Sequence, residues 1–133
     1  LVYAGGDRPG LRDSARAGGE AVSSGRVRAT TTPEAIQELT HVRARRRDRR
    51  DAASLAGLYA DLLSPLLEVG ESDLRGGLAL YEAHRGLGAF DAVLAAATLA
   101  RGATGLVSAD RAFAEIPELP FFDLTGLDVE RLG

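Results

Sequence analysis

Three acidic residues occupy positions from which carboxylates could work together. Asp91, in "LGAFDAVLAAATL", opens an apolar helical stretch, and Asp110 closes the apolar run "GLVSAD". Glu38, in "TTPEAIQEL", shares a helical face with Ala35 and Val42, at the edge of an apolar stripe where a carboxylate loses hydration. Clustered carboxylates repel one another, and some stay protonated unless a cation joins them. The chain has no cysteine and two histidines, so a metal held here takes oxygen ligands, which suits magnesium or manganese. Such an ion acidifies bound water and polarises a phosphate. Each acid also has a plain structural reading. Asp91 complements a helix dipole, Asp110 caps the turn "RAFAEI", and Glu38 reaches solvent. Residue types alone leave both readings open.

These acids need elements to position them. The spacing predicts a Gly-interrupted helix over about 11–23, then a short strand at "RVRATT". Thr32, Pro33 and Glu34 form a strong helix start ahead of Ile36, Leu39 and Val42. Leu55, Leu58, Tyr59 and Leu62 make the stripe of the next helix, which Pro65 ends, and "LLEV" is a strand candidate. Leu74, Leu78 and Tyr81 share a face of a helix weakened by Gly76 and Gly77. A helix over about 89–100 follows, with Gly102 as its stop, then the strand "TGLVSA", the turn "DRAFAEI" and the strand "LPFFDL". Tyr59, Leu62, Leu63, Tyr81, Phe121 and Phe122 are the expected core or dimer-face residues, and the tail after Asp123 reads as peripheral. Helices alternating with short apolar strands predict an α/β fold, a three-layer α/β/α sandwich around a mainly parallel sheet. Carboxyl ends of such strands are where ligands bind, and Asp110 falls at one.

At 133 residues the chain is expected to be a single domain, 1–133, burying roughly two-thirds of its unfolded surface. No apolar run approaches the eighteen or so residues of a membrane span, and the opening "LVYAGGDRPG" does not read as a signal peptide, having no basic region before an apolar stretch. All sixteen basic residues are arginine, which excludes P-loop and Schiff-base lysines and argues against a receiver-type domain. Six arginines fall within "RARRRDRR", making one basic patch on a mildly acidic chain.

"LVYA", "TTPEAIQEL", "LGAFDAVLAAATL" and "LVSADRAF" follow one another in the order and spacing of PIN-domain ribonucleases. The chain most resembles the VapC-type toxins of toxin–antitoxin pairs, from residue 1 to about 123. The resemblance implies a cytoplasmic, metal-dependent endoribonuclease that is neutralised by a cognate antitoxin and forms a homodimer. It further implies four acids around Mg2+ or Mn2+, of which Glu38, Asp91 and Asp110 match the second, third and fourth. Asp91 would be a direct ligand, Glu38 and Asp110 would hold metal-bound water or a second ion, and Ser108 would assist by hydrogen bonding. The basic run, here Arg43, Arg45, Arg46 and Arg47, fits RNA phosphates.

The family's first acid ends an opening strand in a pattern like "hhhDTNVLVYA", where h is apolar, whereas this sequence starts at "LVYA". The expectation is therefore a native protein longer at its N-terminus by roughly seven residues or more, about one strand. The alternative is a non-catalytic PIN-like domain that binds RNA or a partner. Were the sequence complete, the absent acid would favour that alternative.

Overall fold

The computed structural model describes residues 11–132. It contains α1 (Leu11–Ser23), α2 (Pro33–Ala44), α3 (Arg49–Leu63), α4 (Glu71–Ala83), α5 (Ala89–Ala100), β1 (Leu106–Ser108) and β2 (Phe121–Asp123). Short 3₁₀ turns cover Arg111–Glu115, Leu124–Gly126 and Val129–Arg131. The result is an α/β fold in which the strand pair is parallel, with Leu106 opposite Phe121 and Ser108 opposite Asp123. The segment "LVYA", with which the family resemblance begins, lies outside the described residues. Those residues fall into two compact units, 11–18 with Val69–Leu132, and Gly19–Glu68.

In the Gly19–Glu68 unit, α2 packs against α3. Thr32 caps α2 as its sequence predicts, its hydroxyl accepting from the Ala35 N–H at 3.1 Å. Pro33 occupies the first helical position, where its missing N–H costs no intrahelical bond. Asp48 caps α3 by accepting from the Asp51 N–H at 2.7 Å. The buried face of α3 is Ala52, Ala56 and Leu63, with Tyr59 half-buried beside them, while Leu58 is 67% exposed. The predicted stripe of Leu55, Leu58, Tyr59 and Leu62 is thus rotated toward Ala52, Ala56 and Leu63. The strands expected at "RVRATT" and "LLEV" do not form. One backbone bond, from the Leu67 N–H to the Thr31 carbonyl at 2.9 Å, joins these segments. The Thr30 hydroxyl donates to the Pro65 carbonyl at 2.8 Å, and a proline has no N–H with which to extend a ladder.

In the other unit, α4 lies against α5. Gly77 is buried, and a Cβ there would stand 2.6 Å from the Val93 Cα. The glycines that weaken α4 as an isolated helix are what admits α5. Leu74, Leu78 and Tyr81 do share a face, as their spacing predicts, but that face is outward, at 47%, 50% and 50% exposure. Tyr81 is therefore not a core residue. Gly102, at φ +61, ends α5 in the left-handed region that a side chain disfavours. Leu87, Ala92, Leu94, Ala95, Leu106, Phe113, Ile116 and Leu119 form the buried cluster, with Phe121 packed against it. Phe113 and Phe121 stack with ring centroids 6.3 Å apart. The tail is not wholly peripheral, since Leu124 is fully buried.

Candidate active site

Asp91 lies in the first turn of α5, half-buried, where the helix dipole favours a carboxylate. Leu94 and Ala95 of α5 share one buried cluster with Leu106 of β1.

Asp110 lies just past the end of β1 and is exposed. Its backbone N–H donates to the Ser108 hydroxyl at 3.0 Å, and its Oδ1 accepts from the Ala112 N–H at 3.0 Å. Ser108 is buried and so has a stated job: it fixes the backbone on which Asp110 is mounted. The capping reading of Asp110 is realised, and it engages one carboxylate oxygen. The other has no hydrogen bond or ion pair among the described residues.

Glu38 belongs to the other unit. Its neighbours on α2, Ala35 and Leu39, are buried, but Glu38 itself is exposed and hydrated. Its exposure agrees with the reading in which Glu38 reaches solvent from the edge of the stripe. His41 accepts at Nε2 from an Arg45 guanidinium nitrogen 3.1 Å away, since arginine can only donate. Of the arginines expected to face RNA, Arg43 is half-buried and paired to Asp51 at 2.8 Å, whereas Arg45, Arg46 and Arg47 are exposed.

Sequence reasoning passed over Asp123. It ends β2 directly beside Ser108, and its Oδ1 accepts from the Thr125 N–H at 3.0 Å and the Thr125 hydroxyl at 2.7 Å. Arg111 lies 3.8 Å from its other oxygen. The signal was present, since "FFD" repeats the logic of "LVSAD": an apolar strand delivering an acid at its carboxyl end. Among the described residues no three His, Asp or Glu side chains are grouped so as to hold a metal. Asp91 and Asp110 nevertheless supply the oxygen donors that suit magnesium or manganese.

The PIN domain matches residues 1–119, and the chain belongs to the PIN-domain family. It is 48% identical over 123 residues to Ribonuclease VapC7 of Mycobacterium tuberculosis, an alignment covering 90% of this chain and 83% of that protein. The chain is thus similar to a VapC-type PIN ribonuclease. No solved structure matches it.

Proposed function

We propose that this chain is an endoribonuclease toxin that hydrolyses RNA phosphodiesters with the help of a divalent metal. The observation that carries the reading is its 48% identity, along most of its length, to a named ribonuclease. The placement of Asp91 and Asp110 on adjoining elements of one unit supports it.

Asp91 is assigned as a direct ligand of Mg2+ or Mn2+, with Glu38 and Asp110 orienting water or a second ion. When bound, the metal supplies acidified water and neutralises charge gathering on the phosphate. The chain's own part is positional. The first turn of α5 presents Asp91, and the Ser108–Asp110 bond fixes the origin of the Asp110 side chain. A water oxygen bonds to phosphorus while the P–O3′ bond breaks, leaving a 5′-phosphate and a 3′-hydroxyl. A cognate antitoxin, a homodimeric state and a cytoplasmic location complete the proposal.

A second reading, a non-catalytic PIN-like domain that binds RNA or a partner, is favoured by the lack of a three-acid grouping among the described residues. A cleavage assay on structured RNAs separates the two. It compares the protein with magnesium or manganese, with chelator, and as Asp91→Ala. Metal-dependent cleavage lost in the variant supports the nuclease. Folded, antitoxin-free protein that cleaves nothing under any of these conditions sinks it.

A further inference from the structure

We propose that the turn between α2 and α3 is a phosphate-gripping surface for RNA, built on Arg47, Arg49 and Arg50 and not on Arg43. This rests on the reading of the chain as an RNA-directed protein. The acids within the turn's reach in sequence are already engaged. Asp51 is paired to Arg43 at 2.8 Å, and Asp48 caps α3 through the Asp51 N–H. Arg47, Arg49 and Arg50 are exposed, and none of their side chains has a hydrogen bond or ion pair among the described residues.

Their placement breaks a local rule. Basic residues ending α2 complement its dipole, which explains the side chains just after Ala44. Arg49 and Arg50 have no such explanation, for they are the first two residues of α3, at the positive end of its dipole. Cations held against the local field, with no packing in return, mark a surface kept for a ligand.

The chemistry of that ligand follows from the side chains. A guanidinium donates two parallel N–H bonds to the oxygens of one phosphate, so several in a row match a repeating phosphate backbone. A protein partner would want an aromatic or aliphatic anchor at the centre of the contact, and residues 45–50, "RRRDRR", contain none. Binding of this kind releases counterions, so its strength falls steeply with salt.

The test measures binding of the full chain to a fluorescein-labelled RNA stem–loop, in EDTA so that nothing is cleaved, over a series of potassium chloride concentrations. Arg47→Gln/Arg49→Gln/Arg50→Gln should weaken binding and flatten the slope of log K against log salt by about 0.7–0.9 per arginine removed. Its melting temperature should stay level or rise, because two cations leave the positive helix end. Arg75→Gln, which removes an exposed partner of Glu71 on α4, should leave the slope unchanged. Should the triple variant fold poorly, Arg47→Gln alone decides the matter, since Arg47 lies outside both helices. An unchanged slope overturns the proposal, as does a variant impaired only in binding an acidic protein. Wild-type protein that binds no RNA in EDTA overturns it as well. Intact RNA binding without metal-dependent cleavage would instead remove only the catalytic reading.

Discussion

Arg101, just past the end of α5, grips the buried carboxylate of Asp73, in the first turn of α4, through two nitrogens at 3.0 and 3.2 Å. Asp73 also accepts from the Gly70 N–H at 2.9 Å, and Arg101 donates to the Ala97 carbonyl at 3.0 Å. One ion pair therefore ties the start of α4 to the end of α5. Hydrogen bonding to Arg101, and then to the Gly70 N–H, holds the Asp73 carboxyl below the usual carboxylate range. The folded state thus binds this proton less readily than the unfolded chain. The stabilisation is in full force above about pH 4, the unfolded value, and is lost as pH falls through the lower folded value. Arg101→Ala should cost about 2–3 kcal/mol at neutral pH, because a buried carboxylate loses its cation. Denaturant melts across pH 2–7 (about the span over which carboxylates titrate) check it. A deficit that stays constant below pH 4 would show that the pair is not the source.

The glycines of the helices should divide sharply. A Cβ at Gly77 would lie within 2.8 Å of three Val93 atoms, two of them backbone, so Gly77→Ala should destabilise by about 1–3 kcal/mol. A Cβ at Gly57, inside α3, would meet nothing within 4 Å, and Gly57→Ala should stabilise by about 0.5–1 kcal/mol. Thermal unfolding of the two variants is sufficient, and equal effects would contradict the close approach of α4 and α5.

Asp110 permits a test that separates capping from chemistry. Asparagine caps as well as aspartate, so Asp110→Asn should keep the bond from the Ala112 N–H and change stability by less than about 0.5 kcal/mol. A carboxylate that serves the metal site cannot be replaced so cheaply, and cleavage should fall by about 100-fold or more. Full activity in this variant would reduce Asp110 to a cap.

Tyr59 should titrate late. Burial raises its phenol above the ordinary value, and Arg43 only partly offsets that. The folded state therefore favours the neutral phenol. Its contribution to stability is complete below about pH 10 and fades as pH climbs through the raised folded value. An ultraviolet titration compared with that of Tyr59→Phe should show the phenolate step above the ordinary value vanish. If the Tyr59→Phe titration matches that of the native chain above about pH 10, the burial is not felt.

The helices were legible because their signals are local. Thr32 and Pro33 announce α2, Gly102 stops α5, and the alanine-rich run between Ala89 and Ala100 reads as one apolar helix. Faces were read less well. Periodicity finds the leucine stripe of α4, but which side meets a neighbour depends on where a backbone can come close, and Gly77 decides that. Strand candidates such as "LLEV" could not be settled locally, because a strand needs a partner in register and Leu67 makes a single bond to Thr31. At the candidate site, the acids at the start of α5 and the end of β1 follow from sequence. The role of Ser108 as the anchor of Asp110, and the position of Asp123 beside it, depend on a register no single segment encodes.

The turn between α2 and α3 has one further property that its composition fixes. Its cations are all guanidinium groups, which keep their protons at any pH a cell reaches. The charge there is permanent. Neither acidification nor acetylation of the kind that silences lysine can switch it off. Salt, competing anions or a covering partner are the controls that remain.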